Sequence, residues 1–273
     1  MSEYTSKHSD APEGANNKKI LYYAIIAIAS ALLVGALVWG GIKIFGGKDK
    51  DFDKFKNPSY VENVESTDTT SSTELPANPI NFEAIQAENP DVCAWIEVDG
   101  TIIDYPILQS SPEADDNFYL DHDINGEKKR AGSIYIQKLN HDDFSDPNTL
   151  IYGHNMLNGT MFGQLKKFRG KDFFEQNRNI YIYTPGHILK YEIISAFVYD
   201  DRHIMNSFNF SIDSECKEFF DTCINPQSLT KQVVDNANLT IFDKIITLST
   251  CTSNDSERYL VIGKLISDTE TAK

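Results

Sequence analysis

The residues best suited to chemistry in this chain are a cysteine, an arginine and a histidine. Cys251 closes the apolar run Ile245-Ile-Thr-Leu-Ser-Thr-Cys251, and Arg258 stands at the head of the next run, Tyr259 to Ile266, across the polar loop Thr252 to Glu257. A structural cysteine would sit among aliphatics inside such a strand. A thiol at the strand's end, beside hydroxyls and one strand from a guanidinium, is both reachable and electrostatically supported. A free cysteine has a pKa of roughly 8.5, so only a few per cent is thiolate at neutral pH and the group needs a base. His154, in Leu150-Ile-Tyr-Gly-His-Asn155, is the best candidate, at the end of another short apolar run. The same residue also reads as a surface loop histidine. His203, between two apolar stretches, is a second choice. His8 lies in a polar tail, His122 and His141 in Asp-rich loops, and His187 in a hairpin turn. Arg258 carries a permanent charge that can hold a substrate carbonyl or a developing oxyanion, although a salt bridge to Glu257 or Asp255 would use it equally well. Ser249 and Thr250 are either plain strand hydroxyls or the lining of a peptide groove.

Something must hold these groups in place, and the pattern points to strands. Alternating or apolar segments run over Ala94–Val98, Ile102–Leu108, Gly132–Gln137, Thr149–Tyr152, Asn179–Thr184, Leu189–Tyr199, Lys244–Thr250 and Tyr259–Ser267. Asp99-Gly100 and Pro185-Gly186 mark turns. Helical patterns are short: one capped by Asn81 and ending before Pro90, then Phe162–Phe168, Asp172–Gln176 and Asp213–Cys223. Seven or eight short strands with few helices predict a mainly β domain, an antiparallel barrel or sandwich.

The chain has 273 residues, a formal charge of −15 and a pI near 4.8. No basic face stands out, which argues against a nucleic-acid partner. Ile20 to Ile42 is uncharged and long enough to cross roughly 30 Å of hydrocarbon, with Tyr22, Tyr23 and Trp39 near its ends. An uncleaved anchor is expected there, since the run is long for a signal peptide and lacks an evident cleavage site. Lysines lie on both sides, three before and five after, so the positive-inside rule does not place the catalytic part outside. Residues 1–19 read as a short tail and 43–79 as a flexible stalk rich in charge, Ser and Thr, with the folded domain over 80–273. Cys93, Cys216, Cys223 and Cys251 form neither a disulfide framework nor a zinc pattern, and no metal or cofactor is expected.

Taken together, the anchor, the stalk, Tyr152-Gly-His-Asn155 and Thr247-Leu-Ser-Thr-Cys251 with Arg258 resemble a sortase, a cysteine transpeptidase of Gram-positive bacteria. Class B is indicated by Asn89-Pro-Asp-Val-Cys-Ala-Trp-Ile96, Ile103-Asp-Tyr-Pro-Ile-Leu108, Phe118-Tyr-Leu-Asp-His122 and Ala131-Gly-Ser-Ile134, and by the long segment between Tyr199 and Asp243. The resemblance implies a closed sortase barrel with an N-terminal helix and a helix inserted before the penultimate strand. It implies Cys251 as nucleophile, His154 as general acid/base and Arg258 as oxyanion or positioning cation. Asp104, Leu108, Tyr152, Ile204 and Ser249 match groove positions, and Thr250 is added as a neighbour of the nucleophile. The implied partners are surface proteins carrying a C-terminal sorting signal and an acceptor amine from a peptidoglycan precursor or a pilin. The implied location is the cell membrane, crossed once, with the N-terminus cytoplasmic and the catalytic domain outside. The competing reading is a membrane-tethered β-domain that only binds.

Overall fold

Runs of β-branched and aromatic residues build the sheet of the computed structural model, which describes residues 52–57 and 75–272. The strands are β1 (Val92–Val98), β2 (Asp104–Gln109), β3 (Ile134–Ile136), β4 (Asn148–Tyr152), β5 (Asn179–Thr184), β6 (His187–Asp200), β7 (Lys231–Val233), β8 (Ile245–Cys251) and β9 (Glu257–Glu270). Eight of them follow one another around a closed barrel in the order β5-β1-β2-β3-β4-β8-β9-β6, and β6 pairs back onto β5. β7 lies outside the ring, on the edge of β6. Two pairs are parallel, β2–β3 and β4–β8; the others are antiparallel. The expected mainly β barrel is therefore present, with parallel pairs where a purely antiparallel barrel was one expectation. The Pro185-Gly186 turn joins Thr184 directly to its partner His187, with Gly186 at φ +95°.

Among the described residues four short α-helices decorate the barrel: α1 (Phe82–Glu88), α2 (Lys171–Gln176), α3 (Ile204–Ser207) and α4 (Asp213–Ile224). Asn81 caps α1, its side chain accepting the Ala84 N–H at 3.0 Å, as the sequence predicts. The helix expected at 162–168 is instead a tight 3-10 segment, Leu165–Arg169.

Alternation along each strand sorts side chains to two faces. Ile96, Ile107, Ile151, Ile182, Ile246 and Leu248 fill the barrel and are fully buried. The outer face is covered in two patches. One packs α1 and Phe55 over Trp95, Leu108 and Tyr135. The other packs α3 and α4 over Leu150, Ile245 and Leu260. Tyr152 touches both patches, at the seam between them.

The domain boundary is corrected by the first described segment. Phe55 is buried, Phe52 meets Trp95 and Tyr105 edge-on, and Lys56 forms a bridge with Ile80. Backbone bonds from Asn57 to Pro79 and from Asn81 to Phe55 lock the segment down. These residues belong to the folded unit, although the surrounding lysines and aspartates make them read as stalk. Residues 1–51 and 58–74, including the tail, the 20–42 span and most of the stalk, lie outside the described residues. Among the described residues no helix is long and apolar enough to cross a membrane.

Candidate active site

β4 and β8 run parallel, with Tyr152 level with Ser249, so both strands leave the sheet at the same rim. Past that level the two chains are stitched together. Gly153 N–H donates to the Ser249 carbonyl at 3.2 Å, and the Thr250 hydroxyl donates to the Gly153 carbonyl at 2.7 Å. The Asn155 amide then donates to the Cys251 carbonyl at 2.9 Å. His154 and Cys251 are thereby carried on adjoining strand ends. Gly153 permits the close approach, since a Cβ there would stand 2.5 Å from an Ile134 methyl and 2.8 Å from the Phe162 ring.

On the other side of β8, Cys251 is directly opposite Arg258 of β9, and Arg258 is opposite Tyr199 of β6. Directly paired residues share a face, so the thiol and the guanidinium both stand on the outer surface of the barrel. Cys251 is exposed and Arg258 half-buried. One guanidinium nitrogen, Nη1, is fixed by the carbonyls of Asp255 and Glu257 at 2.8 and 2.9 Å. The positive end is thus tied to its own loop.

Two tyrosines back this site. Tyr135 and Tyr152 stack with ring centroids 5.3 Å apart. Burial pushes both phenols above the usual range. Negative charge from Asp116 and Cys251 adds to the rise at Tyr135, while the Arg258 cation opposes it at Tyr152. Both stay neutral at physiological pH, so they supply neutral polar surface near the thiol and the guanidinium. A chain of hydrogen bonds runs away from the pair. Tyr135 donates to Asn117 Oδ1, Gln137 Nε2 donates to the same oxygen, and Gln137 Oε1 meets His203 Nε2 at 2.8 Å.

His203 is consequently spent. Its Nε2 carries the proton toward Gln137, and its Nδ1 accepts the Asn206 N–H to cap α3. His122, His141 and His187 are paired with Asp121, Asp146 and Asp268. His154 Nε2 meets the Leu120 carbonyl at 2.8 Å.

The expected groove residues divide. Tyr152 is partly exposed at the seam, and Ser249 lies beside it with 5% of its surface exposed. Leu108 and Ile204 are buried in the apolar patches on either side. Asp104 is engaged from within: Trp95 Nε1 donates to one oxygen at 2.8 Å and Lys56 Nζ lies 2.5 Å from the other. Thr250 is a correction. Strand alternation turns it away from Cys251, and its hydroxyl braces Gly153 instead of lining a groove. The sequence reading missed Asn155, Tyr135 and the Leu120 carbonyl. Asn155 was visible as the neighbour of His154, and Tyr135 by its alternation; a backbone carbonyl leaves no signal in sequence.

The four thiols are all free. Burial raises those of Cys93, Cys216 and Cys223, which confines them to the protonated form. Among the described residues no cluster of His, Cys, Asp and Glu could hold a metal ion. What this arrangement can do is covalent acyl chemistry: an accessible sulfur, an imidazole on the adjoining strand and a fixed cation across from it.

Known proteins share this arrangement of strands and sequence. A family model for the sortase domain matches residues 96–266. Sortase B of Listeria monocytogenes is 34% identical over 241 residues, covering 84% of this chain and 94% of that protein. The X-ray structure of Clostridium perfringens sortase B superposes with a TM-score of 0.58 at 32% identity, over 68% of this chain and 99% of that one. A Staphylococcus aureus sortase B–substrate complex gives 0.57 at 28% identity, over 70% and 87%. With the model spanning most of the barrel and a relative one-third identical along nearly its whole length, this chain belongs to the sortase family, class B, and is a sortase-type cysteine transpeptidase.

Proposed function

We propose that the chain joins surface proteins to an amine by a two-step acyl transfer through Cys251. The observation that carries this reading is the position of Cys251: the one exposed thiol of the four, opposite Arg258 and stitched to the His154 segment. In the first step the Cys251 thiolate attacks the carbonyl carbon of a Thr, or a similar residue, in a C-terminal sorting signal. Arg258 and nearby N–H groups stabilise the oxyanion. The C–N bond breaks, His154 gives its proton to the leaving amine, and a thioester remains. In the second step an acceptor amine attacks the thioester, His154 takes its proton, the C–S bond breaks and the thiolate returns. The acceptor is a peptidoglycan-precursor amine or a pilin lysine. The signal lies along the seam marked by Tyr152 and Ser249, with Leu108, Ile204 and the Asp104–Lys56 pair behind its walls.

The proposal includes a single membrane span over residues 20–42, a cytoplasmic N-terminus and a catalytic domain outside. Its supports are the uncharged length of that segment and the family's work on surface proteins. A tether raises the effective concentration of substrate and acceptor held at the same membrane.

The test is intact mass spectrometry of the full chain in detergent with LPxTG-like, NPxTx-like and PPxTG-like peptides. An adduct on Cys251 with the mass of a peptide cleaved after its Thr establishes acyl transfer and identifies the signal. A folded protein that forms no adduct and cleaves none of the peptides would instead support a domain that only binds.

A further inference from the structure

We infer that His154 exchanges protons through Nδ1 alone, because the carbonyl of Leu120, held in place by Gly132, fixes the proton on Nε2. The inference rests on the reading of His154 as general acid/base. A carbonyl oxygen can only accept a hydrogen bond. With Nε2 at 2.8 Å from the Leu120 oxygen, Nε2 carries a hydrogen in both the neutral and the charged ring. The lone pair of the neutral imidazole is then on Nδ1, and that nitrogen is left to meet the thiol and the amines. The familiar carboxylate partner of a catalytic imidazole is here replaced by main chain.

That carbonyl is supported on every side. It ends the 3-10 turn Phe118–Leu120, whose three carbonyls each have a separate partner. Phe118 O is taken by His122 Nδ1 at 2.8 Å, Tyr119 O accepts the Ser133 N–H at 2.9 Å, and Leu120 O meets His154. The His122 ring stacks on Phe118 at 4.0 Å, and the Tyr119 hydroxyl is anchored on Asp91 at 2.7 Å. Gly132 closes the back of the turn at φ +55°. A Cβ there would strike the Leu120 carbonyl oxygen and stand 2.6 Å from that of Tyr119. Gly126, in the same loop at φ +71°, has nothing within 4 Å of its Cβ position. The two glycines therefore share the backbone conformation that penalises a side chain, but only Gly132 abuts the carbonyl that orients the base.

The difference makes a paired experiment. Long-range proton–nitrogen correlation spectra of the full chain with nitrogen-labelled histidine would report the tautomer, the His154 signals being those lost in His154→Ala. A protonated Nε2 with a pyridine-type Nδ1 is expected at a pH where the ring is neutral; a protonated Nδ1 overturns the inference, and this readout needs no variant to fold. Gly132→Ala should move His154 toward the other tautomer and slow acyl-enzyme formation by about 10-fold or more, within the range that general acid–base catalysis supplies. Gly126→Ala should leave tautomer and rate as in the parent. A Gly132→Ala protein with the parent's tautomer and rate sinks the inference. If His154→Ala itself forms acyl-enzyme at the parent rate, the acid/base reading fails instead.

Discussion

Cys251 and Cys223 carry the same thiol in two neighbouring regions of the molecule, and only one of them can react. Cys223 lies in the last turn of α4, fully buried with Phe219 and Phe220 against the outer face of the barrel, in the patch that also holds Ile245. Burial, with a smaller contribution from Cys216, pushes its thiol well above the ordinary range. Cys251 lies six residues beyond Ile245 on the same strand, about 20 Å further along at the usual strand rise. There the helical cover has ended, the sulfur is exposed and a guanidinium faces it from the next strand. A nucleophile is thus made by where the sheet leaves its covering layer, and residue type alone decides little.

The sharpest way to break this comparison is to remove each thiol in turn. Cys251→Ala should abolish both the peptide adduct and cleavage, as read by intact mass and chromatography; an adduct surviving on another cysteine would overturn the assignment. Arg258→Ala should slow acyl-enzyme formation by about 10²–10³-fold, the usual cost of removing an oxyanion donor. Arg258→Lys should recover only part, because a guanidinium can be held through Nη1 by the Asp255 and Glu257 carbonyls while its other N–H groups face the substrate, and an ammonium has no such second nitrogen. Stopped-flow measurement of the two variants would decide whether charge or geometry matters more.

Alkylation sharpens the contrast in pH terms. A thiol whose folded pKa lies above its unfolded value stays protonated in the native protein at pH values where the unfolded chain would ionise it. Iodoacetamide at about pH 8 should therefore label Cys251 in the native protein and reach Cys93 and Cys223 only after denaturant is added. Peptide mapping reads this directly, and native labelling of Cys223 would show that α4 opens readily. Smallest of all should be Cys223→Ala, which leaves the acyl-transfer rate unchanged and lowers stability by roughly 1 kcal/mol in urea titration.

Much of this could be seen in the sequence. The eight barrel strands announce themselves through Val, Ile and Tyr at strand spacing, Asn81 marks the start of α1, and Pro185-Gly186 marks the β5–β6 turn. Cys251 and Arg258 are on the page as the end of one run and the start of the next. β7 was not, because Lys231–Val233 is three residues, one exposed and two half-buried, on a barrel's outside edge, too short to alternate. Phe52 and Phe55 were hidden by the charged residues around them in sequence; Asp53 and Lys54 stay exposed and Lys56 turns to Asp104, while the two rings pack inward. The misplacement of Thr250 was avoidable: the alternation that sets Ser249 and Cys251 on one face sets Thr250 on the other. The engagement of Asp104 by Lys56 and Trp95 was not avoidable, since it depends on a segment 48 residues away.

The parallel pairing of β4 with β8 has a consequence for how the enzyme comes into being. Its stitches join residues as much as 97 positions apart, so they form only after most of the chain has been gathered, a long-range closure of the slow kind. Strand alternation also makes the pairing unforgiving. A slip of one residue in β8 would swing Cys251 into the barrel and present Thr250 in its place. Catalytic competence therefore depends on register: only when β8 docks against β4 and β9 as observed does the thiol stand at the rim opposite Arg258.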